Sequence, residues 1–127
     1  MDLIDINRPE VLAEVEAVFA RYEQALVGND VAVLDELFLD SACTVRYGVG
    51  ENLYGYEAIQ AFRAARPATG LAREILRTQL TTFGDVVGTT HIEFRRVGSE
   101  RIGRQTQTWL KTPKGWRVVS AHVSLLA

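Results

Sequence analysis

The stretch REILRTQLTTFGDVVGTTHIEFRRVGSERIGRQTQTWLKTPKGWRVVSAHVSL, residues 73–125, decides the fold of this chain. Apolar and polar residues alternate along it, and turn signals interrupt it at FGD (83–85), VGS (97–99) and PKG (113–115). This pattern predicts four strands in a meander, at 73–82, 86–96, 102–111 and 116–125. Strands joined by short turns pair antiparallel, so the second half of the chain predicts one long antiparallel sheet.

Helical periodicity dominates the first half of the chain. An apolar stripe predicts a first helix over 9–27 with Asn7 as N-cap, and a short second helix begins at Asn29 or Asp30. Alternation predicts an early strand at 42–49, and a loop at 51–55 leads into a third helix at 56–65. These elements are best satisfied by an α+β fold, in which a cone-shaped curved antiparallel sheet wraps around three N-terminal helices. A curved sheet leaves a cavity on its concave side, where a ligand can bind.

Length and composition restrict the class of protein. With 127 residues, we expect residues 1–127 to form a single domain. The formal charge of -2 provides no positive field for a phosphate backbone, so we expect no nucleic-acid partner. No apolar run is long enough for a membrane span, and acidic residues stand where a secretory signal carries basic ones. We therefore expect a cytoplasmic protein without a membrane partner.

Cysteine and histidine are too sparse for a typical metal site. The chain has one cysteine, Cys43, and two separated histidines, His91 and His122. We therefore expect no metal. Cys43 alternates with the apolar residues of its predicted strand, so we expect it to fill the core.

Five segments spread over nearly the whole chain resemble the AtzH-like family, which includes the HpxZ-like proteins found with oxalurate catabolism. These segments are NRPEV at 7–11, TVRYG at 44–48, ENLYG at 51–55, RIGRQ at 101–105 and WRVVSAHVS at 116–124. The order of helices and strands is similar to the wider SnoaL-like, or nuclear transport factor 2-like, superfamily. That fold hosts enzymes, binding proteins and assembly domains, so the fold alone does not settle function.

The resemblance implies a cofactor-independent amidohydrolase acting on C–N bonds of a small anionic urea. The AtzH branch acts in cyanuric acid degradation, where it converts 1,3-dicarboxyurea to allophanate. The family's tyrosine on the first helix and arginine on the first strand correspond to Tyr22 and Arg46, which the resemblance implies are catalytic. It also implies a homodimer, because sheets of this fold commonly pair across their convex surfaces.

Two other classes of function stay open. One is a non-catalytic anion-binding or accessory protein of an oxalurate or ureide amidohydrolase pathway. The other is a purely structural dimerisation domain, which the many polar residues on interior faces disfavour. Nothing in the sequence separates the AtzH branch from the HpxZ-like branch.

The residues themselves allow two interpretations of each catalytic candidate. Tyr22 lies on the apolar stripe, so it is either a core tyrosine bonded to a backbone acceptor or a hydroxyl that donates a proton in the cavity. Arg46 faces solvent if the polar side of its strand is the outer one. If that side is concave, Arg46 enters the cavity, where a buried guanidinium needs an anion. A substrate carboxylate, or internally Glu51 or Glu93, would supply that anion.

Six further residues are candidates for substrate binding: Asn52, Arg63, Gln105, Gln107, His122 and Ser124. The two glutamines share a face of one meander strand, and the histidine and serine share a face of the last strand with Trp116. Asn52 and Arg63 belong to the loop and helix that would cap the cone, where they could contact a second carboxylate. His122 beside Ser124 suggests a base and a nucleophile, but no orienting carboxylate or nucleophile-elbow motif accompanies them, so both are assigned to the pocket lining.

Overall fold

Three helices and one six-stranded sheet make up the computed structural model, which describes residues 5–127. The helices are α1 (Pro9–Val27), α2 (Val31–Leu37) and α3 (Tyr56–Ala65). The strands are β1 (Val45–Tyr47), β2 (Asn52–Tyr54), β3 (Arg73–Phe83), β4 (Val87–Arg96), β5 (Gly103–Thr112) and β6 (Gly115–Leu125). The sheet is curved and unclosed, so the predicted α+β class is confirmed.

The sheet order is β2-β1-β6-β5-β4-β3, and the last four strands form the expected antiparallel meander. The expectation of a wholly antiparallel sheet is wrong, because β1 pairs with β6 in parallel. Parallel neighbours need a long crossover, and here α3 with the first three meander strands supplies it. The predicted 51–55 loop is also wrong in part, because Asn52–Tyr54 forms β2 and pairs antiparallel with β1.

The prediction that Cys43 fills the core is wrong. The strand begins only at Val45, and residues 41–43 form a turn that leaves Cys43 exposed. Thr44 is buried instead, and its hydroxyl donates to the Leu39 carbonyl at 2.8 Å. Alternation predicted the opposite because it extended the strand across this turn.

Of the three helices in residues 5–127, only α2 has a side chain that caps its N-terminus. Asp30 caps α2 by accepting from the Val33 amide at 3.3 Å, as expected. Asn7 does not cap α1, because the cap residue is Arg8 and no side chain bonds there. Asn7 has a φ of 58°, and its side-chain oxygen instead accepts a hydrogen bond from the Thr82 amide at 2.9 Å. The start of α1 is thereby tied to β3.

The core lies between the helices and the inner face of the sheet. The apolar side of α1 packs there, and the fully buried side chains include Val15, Leu34, Leu37, Trp109 and Val118. Trp109 donates from its indole nitrogen to the Thr90 hydroxyl at 3.2 Å, so its polar atom is satisfied. No helix within residues 5–127 is long and apolar enough to cross a membrane.

A β-bulge in β6 decides which of its residues face the helices. Thr108 lies opposite Ser120 but Trp109 lies opposite Val118, which leaves Val119 without a partner residue. An extra residue reverses the alternation of faces beyond it. Val118 is therefore buried before the bulge and Ala121 after it.

Candidate functional site

A small cavity of about 30 Å³ lies between α1 and the inner face of the sheet. Its lining comes from seven segments: Tyr22, Leu26, Arg46, Arg66, Leu71, Arg73, Arg96, Gln105 and Val123. A wider mouth of about 320 Å³ shares several of these residues and adds Val49, Glu51, Phe62, Pro67, Thr69 and Gly70. The cavity and mouth together are called the arginine cavity below.

Arg46 enters this cavity from β1. It lies opposite Ala121, a buried residue of β6, so its side of the strand is the inner one. The guanidinium Nη1 donates to the Glu51 carboxylate at 2.8 Å, and its central carbon lies 5.4 Å from the Phe62 ring centroid. Arg46 therefore lines the cavity, and of the anionic partners that the sequence left open, the described residues supply the internal one, Glu51. Nη1 is its one nitrogen that bonds a described residue, so further donors stay available to a ligand.

Gly48 allows the Arg46–Glu51 pair to form. A Cβ atom added there would lie 1.7 Å from the Glu51 oxygen and 3.0 Å from Nη1 of Arg46. The carboxylate occupies the space that any larger residue would fill. The TVRYG and ENLYG segments thus meet through this contact, which fixes the guanidinium on one side.

Tyr22 lines the cavity from α1 with only 5% of its surface exposed. Its ring packs edge-on against Trp109 and tilted against Phe38, with centroids 6.3 Å away in both cases. The hydroxyl forms no hydrogen bond with any described residue, so the expected backbone acceptor of a core tyrosine is absent within 5–127. A ring held on two sides with a free hydroxyl is suited to hydrogen-bonding a ligand.

In one part of the cavity wall, Arg73 is paired with a carboxylate and also bonds Gln105. The Arg73 guanidinium is 4% exposed, binds both carboxylate oxygens of Glu23, and donates to the side-chain oxygen of Gln105 at 3.1 Å. That bond fixes the amide, because only its oxygen can accept. The Gln105 amide nitrogen is consequently left buried with no partner among the described residues. It is a donor without an acceptor in the wall of the cavity.

Arg66 and Arg96 differ from the other two arginines, because no carboxylate within residues 5–127 pairs with either. Burial, followed by the charge of Arg46, lowers the pKa of Arg66 below its ordinary value. Burial, followed by the charges of Arg73 and Arg46, lowers the pKa of Arg96. Arginine stays protonated despite such shifts. Four guanidinium groups thus face two carboxylates, Glu23 and Glu51, so two positive charges are uncompensated among the described residues.

The structure brings together three of the eight residues that the sequence proposed, namely Tyr22, Arg46 and Gln105. Gln107 also faces inward, but its oxygen accepts from the Thr90 hydroxyl at 3.0 Å in the core, away from the cavity lining. Arg63 is buried between helices, where it pairs with Asp35 at 2.6 Å and lies over the Phe38 ring. It does not line the arginine cavity.

The remaining three candidates lie outside the cavity. His122 and Ser124 share a face with each other but not with Trp116, because the bulge at Val119 turns them outward. His122 is exposed and stacks edge-on against Tyr47, while the Ser124 hydroxyl accepts from Arg104 at 3.2 Å. Asn52 is exposed on the edge strand β2.

Sequence reasoning missed Arg66, Arg73 and Arg96 as cavity residues. The alternation in β4 carries the signal for Arg96, since it shares parity with the buried Ile92 and Phe94. Arg73 begins the neighbouring strand directly opposite Arg96. Arg66 follows the end of α3, where no periodic pattern assigns a direction.

The AtzH-like family model matches residues 4–127. The chain belongs to the AtzH-like family. A crystal structure of a protein of unknown function from Pectobacterium atrosepticum is 59% identical, covers 97% of this AtzH-like chain and 96% of its own, and has a TM-score of 0.95. A cystatin-like fold protein from Burkholderia xenovorans is 42% identical over 98% of both chains, with a TM-score of 0.93.

A more distant structure has the same fold. The nuclear transport factor 2-like superfamily protein from Salmonella enterica is 20% identical to this AtzH-like protein, with a TM-score of 0.75 over 93% of this chain and 92% of its own. At that identity the likeness shows the fold alone. No curated protein matches the chain significantly.

Proposed function

We propose that this AtzH-like protein is a cytoplasmic, cofactor-independent amidohydrolase that converts 1,3-dicarboxyurea to allophanate in cyanuric acid degradation. The observation that carries the proposal is the arginine cavity, where two guanidinium charges and a tyrosine hydroxyl have no partner among the described residues. A small dianion matches that charge. Family membership supports the choice of substrate.

The proposed step breaks the bond between one urea nitrogen and its carboxyl carbon. The electron pair of that bond goes to nitrogen, which takes one proton, and the carbon leaves as carbon dioxide. The dianion and one proton thereby give the allophanate monoanion and carbon dioxide. Hydration of the carbon dioxide to bicarbonate returns the proton, so the net reaction is a hydrolysis in which atoms and charge balance. Arg46 holds a carboxylate, and Tyr22 donates the proton, which solvent then replaces.

Positioning and charge stabilisation are sufficient for this step. N-carboxylated ureas are intrinsically labile, so the protein need not supply a covalent nucleophile. A cavity with fixed donors holds the substrate in one orientation and costs little reorganisation as charge moves toward nitrogen. The packing of Tyr22 against Trp109 and the bond of Arg46 to Glu51 provide that fixed geometry.

The experiment that tests the proposal follows ¹³C-labelled 1,3-dicarboxyurea, generated in situ by a coupled reaction, with purified protein. We expect allophanate to form faster than in the protein-free control, with many molecules formed per chain. Equal rates with and without the protein would contradict the proposal.

A second candidate is a non-catalytic anion-binding or accessory protein for a larger amidohydrolase. The uncompensated guanidinium groups of the arginine cavity favour it equally, because binding an anion requires positive charge but no proton donor. The same assay distinguishes the two functions. An accessory protein would bind the anion without turnover and would raise the rate only when the larger enzyme is present.

We expect the activity to be independent of metal and of thiol chemistry. Among residues 5–127, no group of three or more histidine, cysteine, aspartate or glutamate side chains could hold a metal ion. Cys43 is exposed on a turn and does not line the arginine cavity. Cys43→Ala protein treated with a chelator should keep at least about half of the turnover or ligand binding. Loss of activity in a folded sample would show that metal or thiol is required.

We also propose a homodimer that forms through the outer face of the sheet. A hollow of about 260 Å³ on β3–β5 presents charges of both signs, with Arg77 and Arg104 near Glu93. A surface with both signs can complement itself across a two-fold axis. Sedimentation velocity should show a dimer, and Glu93→Lys should weaken it. A monomer that persists at high micromolar concentration would contradict the dimer.

A further inference from the structure

Arg66 and Arg96 supply the uncompensated charge of the arginine cavity, but the step proposed above gives neither residue a contact with the substrate. Arg66 follows the last residue of α3, and Arg96 is the last residue of β4. Both line the inner cavity as well as its mouth. A ligand that reached Arg46 and Tyr22 would therefore pass or contact them.

Two nitrogens of Arg66 that form no hydrogen bond with the described residues indicate which chemical group could bind there. Nε and Nη2 are shielded from solvent and have no partner within the described residues. These two nitrogens lie on one edge of the guanidinium, the edge that binds both oxygens of a carboxylate side by side. A shielded pair of donors without an acceptor is costly in the empty protein, and a carboxylate there would remove that cost.

The charges nearby also favour an anion at this place. Arg46 and Arg73 each have a carboxylate partner, whereas Arg66 and Arg96 have none among residues 5–127. Burial and neighbouring positive charge lower the pKa of both unpaired groups, which means that their charged forms are destabilised as the protein stands. An anion beside them would reverse that destabilisation.

We infer that Arg66 and Arg96 form a second anion subsite, which holds the carboxylate that stays on the product and makes the cavity selective for dianions. The inference rests on the proposed function for the identity of the ligand. Arg66 provides the side-by-side donors, and Arg96 adds a second positive charge to the cavity lining. Arg46 and Tyr22 then act on the other end of the substrate. The carboxylate that departs becomes neutral carbon dioxide, so the retained carboxylate is the one that benefits from uncompensated charge.

Binding of glutarate and valerate tests the subsite without requiring turnover. In glutarate, as in 1,3-dicarboxyurea, three atoms separate the two carboxylates, and valerate has the same number of carbons with one carboxylate. Calorimetric titration at fixed ionic strength should show that the wild-type protein binds glutarate at least about tenfold more tightly than valerate. Arg66→Gln and Arg96→Gln should each weaken glutarate binding by about tenfold and change valerate binding by less than about threefold.

Arg95→Gln is the matched control, because Arg95 is exposed on the other face of β4 and pairs with Glu74. It should bind both probes as the wild type does. Thermal unfolding without ligand gives a second readout. Removing an unpaired shielded charge should leave the unfolding temperature of Arg66→Gln unchanged or raised, whereas a structural role would lower it.

Three results would overturn the subsite. The first is that the wild-type protein binds glutarate and valerate with equal affinity. The second is that Arg66→Gln and Arg96→Gln both bind glutarate within twofold of the wild-type affinity. The third is that these variants lose affinity for glutarate and for valerate to the same extent. Each of these leaves the turnover assay with 1,3-dicarboxyurea to decide the proposed function separately. A protein that turns over the substrate but does not prefer glutarate would refute the subsite alone.

Discussion

Lysine in place of Arg46 is expected to lower kcat/KM for 1,3-dicarboxyurea by at least about tenfold, which corresponds to roughly 1.4 kcal/mol of transition-state stabilisation. Lysine keeps the positive charge but loses the planar fork that bonds Glu51 on one side and a substrate carboxylate on the other. The measurement is initial rate against substrate concentration, alongside thermal unfolding.

The matched control is Arg21→Lys. Arg21 also pairs with a glutamate, Glu36, but both side chains are about half exposed on the helices. Exposed ion pairs contribute little, so this variant should retain wild-type kinetics. Activity near wild type in folded Arg46→Lys would leave the catalytic assignment unsupported. Loss of activity only through unfolding would assign Arg46 a structural role.

Phenylalanine in place of Tyr22 is expected to have the larger effect, a fall in kcat of about a hundredfold, because a positioned proton donor contributes on that order. The change should cost little stability, since the hydroxyl has no partner among the described residues and the ring contacts with Trp109 and Phe38 stay. Circular dichroism and thermal unfolding should match the wild type.

Tyr54→Phe is the control for loss of a hydroxyl. The Tyr54 hydroxyl bonds that of Tyr47 at 2.8 Å on the exposed side of the hairpin, where Tyr54 is 63% exposed. Its removal should leave turnover unchanged. If Tyr22→Phe retained the wild-type kcat, Tyr22 would be a packing residue and another group would have to supply the proton.

The fold was largely predictable because its signals are local. The stripe that contains Val15 and Tyr22 gave α1 with the observed bounds, and alternation with turn residues gave the meander. β1 lies within the strand predicted at 42–49, but β2 was missed because three residues are too few for alternation to show. The parallel pairing of β1 with β6 was missed because β6 lies far away in sequence.

A site residue was predictable only where the face of its own helix or strand decides whether its side chain points into the cavity. Tyr22 and Gln105 follow from the face of their own helix and strand. His122 and Ser124 were assigned to the wrong face, because a bulge depends on pairing with β5 and leaves no mark in β6 alone. That Arg66 and Arg96 line one cavity is a tertiary feature, and no pattern within α3 predicts the part of Arg66 in it.

The most direct test of the arginine cavity as the reaction site compares the wild type with the double variant Tyr22→Phe, Arg46→Lys in one ¹³C assay. The wild type is expected to form many molecules of allophanate per chain. The double variant is expected to follow the spontaneous rate while unfolding at the wild-type temperature. A folded double variant that turns over at the wild-type rate would show that the chemistry takes place elsewhere.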